Sequence, residues 1–303
     1  MLNNYMNYSG SKDRVYPVLR PYLESAVKGK KRKTKYLIDM FAGSCVVAYN
    51  SLDLFDIVIC VEKSKELVKL HNWIEYYPLS KILEEIDNII SEYELSKTNK
   101  EGFLKLREKY NNDINNGGLF DPAELYCLIT HAYNYQLHTN KNNEFNAPSG
   151  AGRSYFNPAL RQKLINMKEH IDKQIALGKR IMITGGDCMD FIHCLNYENG
   201  FEDVVFYVDP PYSASISKHP YRMGNIKWTA DEDRKLFECL DFIDSKNGKF
   251  IFSNVTSNNG VTNFPLLNWA DSYKVNPIAV DYTNCSYQRK NNGKTEEVII
   301  TNF

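Results

Sequence analysis

An apolar run in the second half of the chain stops abruptly at an acid and two prolines. The segment FYVDPPYSAS, residues 206–215, predicts a strand that ends at Asp209-Pro210-Pro211-Tyr212. Proline has no backbone N–H and a fixed φ, so a central strand cannot continue through this pair, and the turn that follows is stiff. The chain therefore presents a carboxylate, backbone carbonyls and an aromatic ring at one end of a buried strand.

The first half of the chain contains a strand, a glycine turn and a helix. In KYLIDMFAGSCVVAYNSL, an apolar run at residues 36–40 leads into Phe41-Ala42-Gly43-Ser44, and a helical pattern begins at Val46. A second apolar run, DIVICVE, ends in Glu62. This order is typical of a doubly wound sheet, where the acid accepts ribose hydroxyls of a nucleotide-like ligand. A glycine turn before a helix is also a common tight connection, so the pattern alone leaves both interpretations open.

From Leu79 to about Leu160 the sequence shows no strand pattern, and strands resume near Lys179. The intervening sequence is mostly helical, with one helix start marked by Asp121-Pro122, and the Asn-, Gly- and Pro-rich segment after it predicts a loop or hairpin. Further strands are predicted at KRIMITGGD, EDVVFYVDPPY, GKFIFSNV and EEVIITNF. We predict an α/β fold with one domain of residues 1–78 and 161–303 and an inserted lobe of residues 79–160.

Composition excludes few functions. The 303 residues are 43% hydrophobic, which is enough for one large core. The 37 Lys and Arg balance 37 Asp and Glu, so the net charge neither indicates nor excludes a nucleic-acid partner. No apolar run approaches the roughly 18 residues that a membrane span needs. The seven cysteines form no CxxC pair, which favours reduced thiols and a cytoplasmic protein. Cys188, His193 and Cys194 lack a second ligand pair at finger-like spacing, so we expect no metal.

The Asp-Pro-Pro-Tyr turn suits methylation of an exocyclic amine on a nucleobase. Such an amine is a poor nucleophile because its lone pair is delocalised into the ring. The Asp209 carboxylate can accept one N–H and the Pro210 carbonyl the other, which leaves the lone pair directed at a methyl donor. Tyr212 offers a face on which an extruded base can stack. An ordinary strand followed by a Pro-Pro turn is the alternative.

The motif order resembles the Dam-type (D12 class) DNA adenine-N6 methyltransferases, most of all those of T-even bacteriophages. The matching segments extend over nearly the whole chain: YSGSK, FAGS, LSKTNKEGFLKLREKYN, EFNAPSG, YVDPPY, SNV and NNGKTEEVIITNF. The resemblance implies a doubly wound, Rossmann-like methyltransferase sheet with an inserted, mainly helical target-recognition lobe. It also implies S-adenosylmethionine as the methyl donor and transfer to adenine N6 in double-stranded DNA after base flipping.

The same resemblance assigns roles to individual residues. Asp209, Pro210 and Tyr212 match the catalytic motif. The positions that match the family's donor-binding residues are Tyr8, Lys12, Phe41, Gly43, Glu62, Asp187 and Asp209. A helix N-cap explains Asp187 equally well. The chain departs from the family at Cys45, which stands where the family often has a second glycine.

The lobe should contact DNA. Asn134, Gln136, His138 and Arg153 lie in segments that match groove-contacting elements, and Arg153 is the candidate for a guanine contact through O6 and N7. The expected site is GATC, although His138 and Ser149 replace an arginine and a phenylalanine of the phage enzymes.

The expected setting is the cytoplasm of a bacterial or phage-infected cell, with a monomeric enzyme and no membrane contact. A solitary methyltransferase, a phage enzyme and the partner of a cognate restriction endonuclease all fit. A cytosine-N4 methyltransferase and a non-catalytic DNA-binding protein on the same fold remain alternatives; Asp209 favours adenine over the first, because serine is more usual there in cytosine-N4 enzymes.

Overall fold

The structure is a computed structural model. It describes residues 2–6, 12–28, 34–118, 120–195, 200–211, 222–223, 226–258, 260–278 and 295–303, with only the backbone of residues 222–223 and 226–227. Tyr8 and Tyr212, both predicted site residues, lie outside the described residues.

The described part of the chain contains ten α-helices. They are α1 (Tyr16–Val27), α2 (Val46–Asn50), α3 (Lys65–Tyr76), α4 (Leu79–Glu92), α5 (Lys100–Asn115), α6 (Pro122–His131), α7 (Pro158–Ala176), α8 (Cys188–Cys194), α9 (Ala230–Ser245) and α10 (Phe264–Ala270). Several begin at a side-chain cap that the sequence supplies: Asp121 accepts from the N–H of Ala123, and Asn157 from that of Leu160. Such caps satisfy N–H groups that have no partner within the helix.

The same described residues contain ten strands. They are β1 (Tyr36–Asp39), β2 (Ile57–Glu62), β3 (Arg180–Gly185), β4 (Val204–Val208), β5 (Arg222–Met223), β6 (Ile226–Lys227), β7 (Lys249–Asn258), β8 (Val261–Thr262), β9 (Lys274–Ile278) and β10 (Thr295–Thr301). The main sheet has the order β3-β2-β1-β4-β7-β10-β9, with β8 paired to β7, and β5 and β6 form a separate pair. The neighbouring strands β3, β2, β1, β4 and β7 are parallel, whereas β10 runs antiparallel to β7 and β9.

The central strand β4 is buried on both faces. Val205 and Tyr207 belong to one hydrophobic cluster, while Val204, Phe206 and Val208 belong to a second cluster. Because neighbouring strand residues point to opposite faces, the two clusters lie on opposite sides of the sheet. Helices that cover both faces of a mainly parallel sheet confirm the predicted α/β, Rossmann-like fold.

The sequence did not predict β9, which forms one edge of the main sheet and contains Pro277 opposite Val298 of β10. A proline within an apolar run argues against a central strand. It is tolerated at an edge, where its missing N–H need not serve a neighbour.

Residues 79–160 are called the insert. They contain α4, α5, α6, a short 3₁₀ turn at Tyr133–Tyr135 and an irregular segment. The ring of Tyr126 in α6 lies 6.3 Å from that of Trp73 in α3, and both belong to the hydrophobic cluster on one face of the main sheet. The insert therefore shares a core with the sheet, and the predicted boundary at 160/161 falls within the first turn of α7.

The strand order reverses direction between β1 and β4. From β1 the chain continues outward to β2 and β3, and it then returns to β4 on the other side of β1. In open parallel sheets, ligands bind beyond the carboxyl ends of the strands at such a switch point. Here those ends carry Asp39 and, directly after β4, Asp209.

Candidate active site

Asp209 forms an ion pair at the switch point. Its Oδ1 lies 2.9 Å from Lys12 Nζ, and the exposed fractions of the two side chains are 15% and 9%. Pro210 is buried and Pro211 half-buried in the turn that follows. The structure thus brings together two residues that lie 197 positions apart in the sequence and that resemblance assigned to one site.

The charge of Asp209 depends on this contact. Burial raises the pKa of its carboxyl above the usual value, and the Lys12 ammonium lowers it. Removal from water disfavours the ionised acid, whereas a nearby cation favours it. An ionised carboxylate only accepts hydrogen bonds, whereas the protonated acid also donates one, so Lys12 supports the acceptor-only form of Asp209.

A second acid, Asp39, lies at the same edge and was missed in the sequence. Its Oδ1 is buried and has no hydrogen-bond partner among the described residues. Burial raises its pKa far above the usual value, and the negative charges of Asp209 and Glu62 act in the same direction. The sequence did contain a signal for Asp39, because this acid, like Asp209, stands at the end of an apolar run.

The glycine turn, residues 41–45, follows Asp39. Gly43 and Cys45 both have left-handed backbone conformations, with φ of 48° and 54°. The N–H of Ala42 donates to the carbonyl of Val61 at 3.1 Å, which attaches the turn to the end of β2. Left-handed conformations are readily adopted by glycine, so Gly43 suits its position, while Cys45 occupies an unfavourable one.

Glu62 holds the glycine turn. Its Oε2 accepts from the N–H of Gly43 and its Oε1 from the N–H of Ser64, both at 2.8 Å. Burial raises the pKa of the carboxyl, and these N–H groups lower it. A carboxylate oxygen can accept more than one hydrogen bond, so the predicted contact with ribose hydroxyls is compatible with this structural role.

His71 was also missed, and it contacts the glycine turn from the other side. Its Nε2 lies 2.7 Å from the carbonyl oxygen of Gly43, and its Nδ1 lies 2.6 Å from the hydroxyl of Tyr5. The imidazole is fully buried, and burial lowers its pKa to about 4. No local sequence pattern marks this contact, because the three residues are separated by at least 28 positions.

Phe41 and Asp187 flank the site. The Phe41 ring meets the edge of Trp228, with centroids 5.3 Å apart, and Trp228 Nε1 donates to Asp233 at 2.8 Å. Asp187 caps α8 by accepting from the N–H of Met189 at 3.0 Å, and it also pairs with Lys63 at 3.0 Å. Asp187 therefore does cap a helix, and it lies at the same end of the sheet as Glu62.

The predicted DNA contacts are exposed side chains of the insert: Asn134, Gln136, His138 and Arg153. The His138 Nδ1 contacts Asn146 Oδ1, and the N–H of Asn146 donates to the His138 carbonyl at 2.9 Å. Together with a bridge between Thr139 and Phe145, these contacts form a hairpin. Of the two predicted possibilities, a loop or a hairpin, the structure shows a hairpin at residues 138–146.

Arg153 lies against Tyr133. Its guanidinium carbon is 5.4 Å from the centroid of the Tyr133 ring, and Nη1 donates to the Tyr133 hydroxyl at 3.2 Å. The residues after Tyr133 are strained, since Asn134 and Tyr135 have φ of 55° and 56°. Strained backbone of this kind persists where the surrounding structure fixes it, and it is frequent at functional sites.

Among the residues that the structure describes, His, Cys, Asp and Glu form no group of three that could hold a metal ion. No helix within those described residues combines the length and apolar character required to cross a bilayer.

Comparison with known proteins gives a family match. A model of the D12 class N6 adenine-specific DNA methyltransferases matches residues 8–283. The type II methyltransferase M.FokI of Planomicrobium okeanokoites is 30% identical, the modification methylase StsI of Streptococcus sanguinis 29% and the modification methylase LlaI of Lactococcus lactis subsp. lactis 26%, each over 98% of this chain. The chain spans only 42%, 42% and 43% of the lengths of these three relatives.

A solved structure gives a weaker likeness. The rRNA methyltransferase aviRa of Streptomyces viridochromogenes aligns over 95% of this chain and 83% of its own, at 10% identity and a TM-score of 0.38.

Proposed function

Because the chain belongs to the D12 class N6 adenine-specific DNA methyltransferase family, we propose that it transfers a methyl group from S-adenosylmethionine to N6 of adenine in double-stranded DNA. The observation that carries the proposal is the largely buried Asp209 at the switch point, held 2.9 Å from Lys12. An acid in this place, followed by two prolines, offers acceptors and few donors to an incoming amine.

The proposed chemistry depends on the ionised form of Asp209. Its carboxylate accepts one N–H of the adenine amine, and the Pro210 carbonyl accepts the other. The nitrogen lone pair then points away from both acceptors, where it can attack an electrophilic carbon. S-adenosylmethionine would supply that carbon as a methyl group on a positively charged sulfur, and the amine that takes it up must lose one proton. Asp209, whose pKa is raised by burial, is suited to accept that proton.

The residues at the carboxyl ends of β1, β2 and β4 fit the donor's chemistry. S-adenosylmethionine supplies an activated methyl group on a sulfonium, and it also carries a carboxylate. The buried Oδ1 of Asp39, which has no partner among the described residues, offers an acceptor, while the Lys12 ammonium offers a partner for a carboxylate. Tyr8, Lys12, Phe41, Gly43, Glu62 and Asp187 would hold the donor, as the family resemblance implies.

DNA recognition is assigned to the insert. We propose that the target adenine leaves the duplex, stacks on Tyr212 and reaches Asp209; extrusion costs a few kcal/mol, which stacking and backbone contacts offset. Arg153 would read a guanine, and GATC is the proposed site. The exposed positions of Asn134, Gln136, His138 and Arg153 support a role in DNA contact.

The names of the relatives support a biological setting. A type II methyltransferase and two modification methylases support a role in modification beside a cognate restriction endonuclease. The expectation from the sequence, a monomeric and cytoplasmic enzyme, is kept as part of this proposal. The prediction that this chain resembles the T-even phage enzymes more than other members of the family stays a prediction.

The test is a map of modified bases. Purified protein is incubated with S-adenosylmethionine and unmethylated genomic DNA, and the DNA is sequenced by a method that detects N6-methyladenine. Methylation confined to GATC is expected. Methylation at another motif would retain the reaction and overturn the proposed site, N4-methylcytosine would overturn the substrate, and unmodified DNA with intact DNA binding would favour a non-catalytic protein.

A further inference from the structure

We propose that His71 is a positioning residue for the glycine turn, and that Tyr5 links this turn to α6 of the insert. The hydroxyl of Tyr126 in α6 donates to the carbonyl of Tyr5, the Tyr5 hydroxyl contacts His71, and His71 contacts Gly43. The inference rests on the proposed function in one respect, namely that the methyl donor binds at the glycine turn.

The direction of each hydrogen bond is fixed by chemistry. The Gly43 carbonyl can only accept, so the hydrogen must be on His71 Nε2, which lies 2.7 Å away. With its pKa lowered to about 4 by burial, the imidazole is neutral and carries one hydrogen. His71 Nδ1 is therefore an acceptor, and the Tyr5 hydroxyl at 2.6 Å is its donor. The second hydroxyl near Nδ1, that of Tyr49, is more distant at 3.4 Å.

These contacts hold Gly43 at both of its backbone polar groups. The N–H donates to Glu62 Oε2 at 2.8 Å, and the carbonyl accepts from His71 Nε2. Gly43 has a φ of 48°, in a region that glycine leaves easily because it has no Cβ. Without His71, the carbonyl would lose its partner and the peptide group that follows could rotate. His71 thus fixes one orientation of a residue that is otherwise conformationally free.

Tyr5 occupies the junction between three parts of the chain. Its ring is fully buried and meets the edge of His71, with centroids 5.9 Å apart, and the Tyr126 ring is 6.0 Å away. The N–H of the preceding residue, Asn4, donates to Asp13 at 2.7 Å, and Asp13 is the neighbour of Lys12. The same short segment therefore contacts the glycine turn, the insert and the chain beside the Lys12–Asp209 ion pair.

Four variants separate positioning from simple support of the fold. His71→Phe fills the space but makes neither hydrogen bond, and His71→Gln restores an N–H donor for the Gly43 carbonyl. Tyr5→Phe removes only the hydroxyl that contacts Nδ1. Tyr49→Phe is the matched control, because Tyr49 is equally buried and its hydroxyl is the more distant one.

Two readouts are measured beside the melting temperature: the dissociation constant for S-adenosylmethionine by calorimetry, and amide hydrogen exchange of residues 41–45 without donor. His71→Phe should weaken donor binding about tenfold, which corresponds to about 1.4 kcal/mol, and should accelerate exchange in the turn. The dissociation constant for DNA should remain within about twofold of the value for the protein without substitutions. His71→Gln should recover most of both losses, Tyr5→Phe should show a smaller effect in the same direction, and Tyr49→Phe should show none.

Donor affinity and turn exchange that stay unchanged in a folded His71→Phe would overturn the inference, as would equal losses in Tyr49→Phe and Tyr5→Phe. If His71→Phe does not fold, the comparison of Tyr5→Phe with Tyr49→Phe decides. An unmodified protein that binds no S-adenosylmethionine would contradict the proposed function, while the exchange measurement would still test His71.

Discussion

Lys12 Nζ lies 2.9 Å from Asp209 Oδ1, and little of either side chain is exposed to water. In a largely buried pair, the loss of one partner leaves the other charge without compensation, which costs more than the pair itself contributes. The Lys12 ammonium therefore favours the ionised form of Asp209, and a change at either residue should alter the site.

Asp209→Asn should lower the rate of methyl transfer by a factor of about 100 or more, because the amide carries no negative charge and presents N–H donors toward the substrate amine. DNA affinity should remain within about twofold, since the change lies at the carboxyl end of β4 and outside the insert. The measurement is transfer of labelled methyl groups to unmethylated DNA, with DNA binding by fluorescence anisotropy. Asp190→Asn, an exposed acid of α8, is the control; normal turnover in Asp209→Asn would exclude the proposed role.

Lys12→Met should shift the acid limb of the pH–rate profile upward by roughly 1–3 pH units. Burial raises the pKa of Asp209 and Lys12 lowers it, so removal of the ammonium raises the pKa further. The ionised acid, and with it the activity, is then lost at a higher pH as the solution is acidified. The profile is recorded at saturating donor, because Lys12→Met should also weaken donor binding. Lys235→Met on the exposed face of α9 serves as control, and an unshifted acid limb would show that Lys12 does not govern Asp209.

Arg153→Ala should reduce discrimination at one base pair of the recognition site by roughly 1–3 kcal/mol, the usual contribution of an arginine that reads guanine. Affinity for unrelated DNA should fall much less. Methylation rates are compared across substrates that each carry one changed base pair. Arg234→Ala in α9, outside the insert, controls for the loss of one cation. If every altered substrate is methylated in the same proportion as before, Arg153 reads no base.

The central features of the fold could be predicted because they depend on local sequence. The apolar β4 and the proline pair after it require a buried strand that ends at Asp209. The glycine turn between β1 and α2 is likewise marked by its own residues. By contrast, β9 exists because β10 offers it a partner, and its Pro277 conceals it from any local pattern.

The parts of the site that escaped prediction depend on contacts between distant segments. His71 resembles an ordinary helical residue of α3, and only the folded chain brings it within hydrogen-bonding distance of Tyr5 and Gly43. The contact of Lys12 with Asp209 has the same origin. Resemblance could assign both residues to the site, but not the ion pair between them. Asp39 is the exception, since its position at the end of an apolar strand was visible in the sequence.

Glu75→Gln should stabilise the protein at alkaline pH. Burial raises the pKa of Glu75 to about 7, even though the charge of Lys168 lowers it, and its Oε2 has no hydrogen-bond partner among the described residues. Because the folded pKa exceeds the unfolded one, the protonated acid favours folding below about pH 4.5, and this contribution is lost as pH rises through 7. At pH 8 the variant should gain roughly 1–3 kcal/mol in the free energy of unfolding, and at pH 4 almost nothing.

Urea denaturation of Glu75→Gln at pH 4, 6 and 8 measures this difference. Glu84→Gln, an exposed glutamate of α4, is the control and should show no comparable dependence. A stability difference that is the same at all three pH values would mean that ionisation of Glu75 does not oppose folding.

Cys45→Val should destabilise the protein more than Cys60→Val, although both thiols are fully buried and contact each other. Cys60 lies in the extended strand β2, where a β-branched residue is favourable, whereas Cys45 has a φ of 54°. Valine at a positive φ brings its branched Cβ against the backbone, so the difference in the free energy of unfolding should be about 1–3 kcal/mol. Because both variants remove one sulfur and its contact with the other, the comparison isolates the backbone conformation. Equal losses in thermal and urea denaturation would mean that the glycine turn can adopt another conformation at Cys45, and that the left-handed residue before α2 is not required.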